Sequence, residues 1–200
     1  MSILSKSQSM GVAAVILAVS TLLSRFMGLV RDKIISWQFG AGGESDMYFA
    51  AFVVPDIINY LLAGGFMSIT LIPLLSKRFS EDEADGWRFY SCVLTWMAVC
   101  AMAVTALGML FAEPLAHVVA PGLDPSRYAR LALFMRIVLP AQVFFLVGSC
   151  IIALLYLRRQ FTIPALTPLI YNGCIIFFGV TLPYSGLVHG MTGYCVGVVF

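Results

Sequence analysis

Long apolar runs follow one another along almost the whole chain, and that pattern leaves few folds open. Crossing a hydrocarbon core of ~30 Å takes about 20 predominantly apolar residues. Residues 10–39, 47–76, 89–112, 128–157 and 162–182 meet that requirement, and a sixth run from 186 is still apolar where it is cut short at Phe200. Hydrophobic residues make up 60% of the sequence and charged ones 11%, whereas about 25% charged residues is usual in soluble domains. An ordinary soluble domain is excluded. A chain in lipid must satisfy its backbone polar groups internally, so the expectation is an all-α integral membrane protein with six transmembrane helices.

The stretch from Ser24 to Pro73 places fixed charges in this oily background. Arg25, Arg31, Asp32, Lys33, Asp46 and Asp56 fall within or at the ends of the first two runs. An ionisable group inside a span costs ~2.5–3.5 kcal/mol on insertion scales and usually faces a bundle interior or a watery cavity. The charges therefore predict a polar path, with the alternative that Arg31, Asp32 and Lys33 snorkel to the interface near a helix end. Arg25 and Asp32, seven apart, share a helical face, and Arg31 points about a third of a turn away. The first run would be ~45 Å long as a helix, so it must tilt, bend or protrude. Gly40, Gly42 and Gly43 break it, and Ser45 or Asp46 is placed to cap the next helix. In the second run Pro55 and the Gly64-Gly65 pair predict a kinked helix, with Asp56 and Asn59 on one face.

Lys77–Arg88, KRFSEDEADGWR, reads as a solvated loop, and Glu113–Ser126, with three prolines and a glycine, as a second loop lying partly at the interface. Arg130 and Arg136, near the start of the fourth run, either snorkel outward or approach a central cavity. Pro164 and Pro168 bend the first turns of the fifth. One side collects Lys6, Lys77, Arg78, Arg88, Arg158 and Arg159, the other Arg127 and Arg130, joined by Arg31 and Lys33 if those lie shallow. The excess places the N-terminus in the cytoplasm. The apolar run continues past the cleavage-like Ala18-Val19-Ser20, so a retained first helix is expected rather than a removed signal peptide.

Nothing in the pattern supports catalysis. His117 and His189 have no nucleophile beside them, no P-loop, HExxH or GxSxG pattern is present, and the chain reads as a non-enzyme. The cysteines Cys92, Cys100, Cys150, Cys174 and Cys195 lie in apolar runs at spacings that fit neither zinc nor a disulfide framework. No metal site or cofactor is expected. Dispersed basic residues without a stripe argue against nucleic acid as a partner.

SRFMGLVRD at Ser24–Asp32, FGAGGESDMYFAAFVVPDIINYLLAGGF at Phe39–Phe66, APG at Ala120–Gly122 and RRQFTIPALTPLIYN at Arg158–Asn172 carry a resemblance. Together they resemble the MurJ (MviN) family, lipid II flippases of the MOP exporter superfamily. The resemblance implies two six-helix lobes facing one another across a central cavity, with this chain as the N-terminal lobe and the C-terminal lobe absent. It implies translocation of lipid II, an undecaprenyl-pyrophosphate-linked peptidoglycan precursor, across the bacterial cytoplasmic membrane by alternating access, with membrane lipids as surroundings. Arg25 and Arg31 stand where the family has functional arginines, which would bind the anionic head group. Asp32, following Arg31, and Asp46, opening the second helix, match acidic positions; local pairing or capping is the other reading for both. Asp56 and Asn59 are further cavity or gating candidates. The chain departs from the family at Asn59-Tyr60, where many members have two arginines, and at Gly64, where they have Glu. A cargo other than lipid II within the MOP superfamily, another lipid-linked glycan or a small molecule, is the alternative; a non-transporting scaffold is a third.

Overall fold

A computed structural model describes residues 10–40, 42–60 and 70–200. Ten α-helices and no strand occur among the described residues. They are α1 (Met10–Phe39), α2 (Gly43–Ala51), α3 (Val53–Asn59), α4 (Ile72–Glu81), α5 (Glu83–Leu110), α6 (Ala112–Val119), α7 (Tyr128–Val138), α8 (Ala141–Leu157), α9 (Thr162–Tyr184) and α10 (Thr192–Gly197), with a 3₁₀ turn at Pro125–Arg127 before α7. Four described segments are long and apolar enough to cross a membrane: Gly11–Phe39, Glu83–Leu110, Pro125–Leu157 and Thr162–Tyr184. Lys6 and the Gly64-Gly65 pair lie outside the described residues, as does the middle of the second predicted span.

Helix boundaries differ from the expected ones where a local cap decides. The acidic run at 77–88 is helical except for a corner at Asp82, whose carboxylate accepts the Ala84 N–H at 3.0 Å and starts α5. A side-chain cap lets two helices abut where the acidic composition suggested a loop. Helix α2 opens at Gly43, before either expected cap. Ser45 Oγ instead donates back to the Gly40 carbonyl at 3.0 Å, and Asp46 is an exposed first-turn residue. The break attributed to Pro55 appears at Phe52, between α2 and α3, because the proline leaves the Ala51 carbonyl without its i+4 donor. Part of the proline-rich loop after Glu113 is the helix α6. The fourth segment breaks at Leu139-Pro140, and the sixth run becomes helical only at Thr192.

Helix α1 packs along α9, and α9 also carries α10. The two long helices run parallel: the Ser20 hydroxyl meets the Ala165 carbonyl, and further along both Arg31 donates to Asn172 Oδ1 at 3.3 Å. Helix α8 packs against α5 and α4. Two apolar cores result. The larger gathers Ile35, Tyr48, Phe134, Met135, Ile175 and Tyr194 at the end where α1 finishes and α7 begins. The smaller, around Leu71, Leu75, Tyr90 and Cys150, lies where α4 meets α5 and α8 ends. Outside these cores the long helices leave apolar faces open, as at Val15, Leu22, Phe26 and Leu29 of α1 and Trp96, Leu107 and Leu110 of α5. Such faces are what lipid or a second membrane-embedded surface covers.

Small residues bring α10 onto α9. A Cβ at Gly197 would lie 2.8 Å from the Cα of Ile175, and one at Gly193 would lie 3.0 Å from Pro183 and 3.2 Å from the Phe178 carbonyl. Gly193 and Gly197 are four apart, the spacing that lets membrane helix backbones approach closely.

Candidate functional site

Arg31 is the centre of the polar interior. Its Nε and one terminal nitrogen both lie 3.0 Å from the same oxygen of Asp32. Its other terminal nitrogen donates to Asn172 Oδ1 on α9 at 3.3 Å. Asn172 is itself buried, and its amide nitrogen donates to Ser24 Oγ on α1 at 3.3 Å and to the Pro168 carbonyl at 2.9 Å. The adjacent carboxylate offsets the cost of placing the cation inside a span, and the amide orients it. Guanidinium has five N–H donors, so two remain uncommitted among the described residues. The Arg31 side chain is 21% exposed, which leaves those donors room to meet an anion. Of the two readings of the Arg31-Asp32-Lys33 cluster, Arg31 follows the inward one, and Lys33 is exposed.

Beside Arg31 is a cavity of about 320 Å³ lined by Arg31, Tyr48, Phe49, Phe52, Asp56 and Tyr171. Helix α1 supplies the cation, α9 supplies Tyr171, and the α2–α3 break at Phe52 turns Asp56 toward the same space. Arg31 and Asp56 form no ion pair, so opposite charges line one cavity without neutralising each other directly. The remaining sequence candidates separate. Arg25 is exposed on α1 and has no hydrogen-bond or ion-pair partner among the described residues. Asp46 is exposed at the start of α2, Asn59 is half-buried at the end of α3, and Tyr60 beside it is exposed. Gly64 lies outside the described residues.

Several polar residues missed in the sequence take defined places. Asn172 lies in an apolar run and carries no charge to mark it, and Tyr171 looks like an ordinary core aromatic. Glu44 joins three helices: it accepts from Arg130 Nη2 at 3.1 Å on α7 and from the Met191 N–H at 3.3 Å at the start of α10. Gly190, at φ +61, makes room for it, since a Cβ there would lie 2.8 Å from its carboxylate. Arg130 therefore neither snorkels freely nor reaches the Arg31 cavity. Arg136 is exposed and donates to the Met109 carbonyl at 3.3 Å, capping the end of α5. At the opposite end Arg158 pairs with Glu83 at 3.1 Å while lying over the Phe79 and Trp87 rings, and Arg78 pairs with Asp85 at 2.7 Å. His117 stacks on Tyr128.

The family model described as "Lipid II flippase MurJ" matches residues 35–200. A protein of Buchnera aphidicola named "Probable lipid II flippase MurJ" is 31% identical over 166 residues, covering 82% of this chain and 32% of the relative. The "Lipid II flippase MurJ" of Thermosipho africanus is 26% identical over 187 residues, covering 94% of this chain and 39% of its own length. That of Burkholderia cenocepacia is 28% identical over 159 residues, covering 78% and 31%. The chain thus spans roughly a third of the length of these relatives. With four helices long and apolar enough to cross a membrane, it is a multi-pass bacterial membrane protein, and it belongs to the MurJ family.

Proposed function

We propose that this chain is one six-helix lobe of a two-lobed flippase that moves lipid II across the cytoplasmic membrane, with its N-terminus in the cytoplasm. The protein is a transporter rather than a catalyst. In this reading residues 47–76 supply the second span and α10 lies in the sixth. The observation that carries the reading is Arg31, held inside the helix bundle by Asp32 and Asn172 with two donors uncommitted. A planar guanidinium binds phosphate oxygens in pairs and stays charged when partly desolvated, which suits the pyrophosphate of a polyprenyl-linked precursor. Arg25, six residues back on α1 and ~9 Å along its axis, supplies a second, exposed cation. Asp32 neutralises and positions Arg31, Asp56 and Asn59 border the path, and Asp46 lies at its outer edge. Rocking of this lobe against a second one exposes the head group to alternate sides, while the lipid tail stays in hydrocarbon.

The test is growth of cells depleted of their own lipid II flippase and supplied with the full-length gene product. Restoration is expected, with loss when Arg25 and Arg31 are both changed to Ala although the protein still inserts in the membrane. Full rescue by that double variant refutes the role of the arginines. The neutral Asn59-Tyr60 pair favours a second reading, in which the cargo is another lipid-linked glycan; failure of the inserted wild type to restore growth would select it.

A further inference from the structure

Lys33 takes no part in the polar interior. It is exposed, next to the Arg31–Asp32 pair, and has no hydrogen-bond or ion-pair partner among the described residues. Phe26, Leu29, Val30, Ile34 and Trp37 join it along an open groove of about 490 Å³ on α1. Helical spacing accounts for the grouping, since positions 26, 30, 33 and 37 are three or four apart. The groove shares no lining residue with the Arg31 cavity. Nor is it the face that carries Ser20, Ser24 and Arg31 against α9.

Depth in a bilayer orders this groove. Helix α1 is 30 residues long, or ~45 Å, against a hydrocarbon core of ~30 Å. With the helix centred, ~7.5 Å protrudes at each end. Trp37, ~3 Å from the end, then lies at head-group level. Lys33, ~9 Å from the end, lies just inside the hydrocarbon boundary, where a lysine stem carries its ammonium out to the phosphates. Phe26, Leu29 and Val30 lie deeper, beside the acyl chains. Trp37 is 84% exposed, and an interfacial tryptophan offers an apolar ring with one N–H donor.

We propose that this groove holds one anionic phospholipid, with its phosphate on the Lys33 ammonium and the Trp37 indole N–H and an acyl chain along Phe26, Leu29 and Val30. A zwitterionic lipid brings its own ammonium to the phosphate and leaves the Lys33 charge unbalanced. A lipid with net negative charge balances it. An acidic side chain of another membrane helix would also balance it, but only by placing a carboxylate near the hydrocarbon boundary, which is costly. The assignment does not depend on which cargo the protein moves.

The full-length gene product in phosphatidylcholine nanodiscs is to receive phosphatidylglycerol or phosphatidylcholine carrying the same photoreactive acyl chain, with labelled peptides identified by mass spectrometry. Phosphatidylglycerol should label residues 26–37 about fivefold more than phosphatidylcholine, the worth of one basic residue at an anionic surface. Lys33→Ala should abolish that preference and leave phosphatidylcholine labelling unchanged, whereas Lys33→Arg should keep it. Labelling by both lipids of the exposed α5 face at Trp96 and Leu107 reports that each variant is inserted. Equal labelling of residues 26–37 by the two lipids in the wild type overturns the assignment, as does a preference that survives Lys33→Ala. No label there from either lipid, with α5 labelled, shows that another protein surface covers the groove and also overturns it. So does loss of the label to excess undecaprenyl phosphate but not to excess unlabelled phosphatidylglycerol, which would make the groove a path for the cargo tail.

Discussion

Three glycine-to-alanine changes separate intrinsic helix preference from close helix approach. Alanine in a helix interior is favoured over glycine by ~0.5–1 kcal/mol. At Gly148 in α8 a new Cβ meets nothing within 4 Å, so the preference acts unopposed and the protein gains up to that amount. At Gly197 the Cβ would lie 2.8 Å from Ile175 Cα and 3.1 Å from the Cys174 carbonyl, where carbon pairs normally rest at about 3.5–4.0 Å. Backbone cannot swing aside, so α10 must withdraw from α9, and overpacking of this kind costs ~1–3 kcal/mol. At Gly179 the Cβ would come within 2.3 Å of two Tyr194 ring carbons. That ring is fully buried, edge-on to Phe39 and Tyr48, and tethered by its bond to Gln38, so Gly179→Ala should cost the most. Thermal unfolding of a detergent-solubilised fluorescent fusion, read by size-exclusion chromatography, should rank the variants Gly148→Ala, wild type, Gly197→Ala, Gly179→Ala from most to least stable. The steps should be several °C, at ~2–4 °C per kcal/mol. If Gly197→Ala and Gly179→Ala melt with Gly148→Ala, the α9–α10 seam does not depend on backbone proximity and the reasoning fails.

Two further perturbations address the polar contacts. Glu44→Ala removes an acceptor shared by Arg130 and Met191 and should lower stability by ~1–2 kcal/mol, whereas Glu44→Gln, which keeps an acceptor for the Met191 N–H, should lose less than ~1 kcal/mol because the ion pair is partly exposed. The same melting assay compares them, and equal losses would show that the backbone contact contributes nothing. Asn172→Leu should cost only ~0.6–1.7 kcal/mol of stability, between the average and the largest values for interhelical hydrogen bonds in membranes, yet reduce rescue of flippase-depleted cells sharply because Arg31 loses its orienting partner. Full rescue would show that Asp32 alone positions the arginine.

Membrane character, helical class and the breaks after Phe39 and before Pro55 were legible because apolar length, glycine and proline act locally. The α4–α5 corner was not. An acidic run has the same composition in a loop and on a solvated helix, and only the cap from Asp82 to Ala84 distinguishes them. The α9–α10 seam was legible in principle, since Gly193 and Gly197 have the required spacing. Its depth, however, depends on Ile175 and Phe178, which the chain brings alongside only through tertiary packing.

The polar site shows why charge alone is an incomplete guide inside a membrane. Arg31, Asp32 and Asp56 stand out in sequence because an ionised group in an apolar run is costly, but what offsets that cost need not itself be charged. Asn172 carries no formal charge and sits among residues that look like core, yet it accepts from Arg31. The site also depends on a break in the second helix: without the turn at Phe52, Asp56 and Tyr48 would keep the register of one straight helix. Arg130 and Arg136 illustrate the converse, since both are conspicuous cations and both serve helix ends, one through Glu44 and the other through the Met109 carbonyl. What separates Arg31 from these two is its placement beside a cavity, with its side chain 21% exposed and held by Asp32 and Asn172, and that placement belongs to the fold, not to the residue.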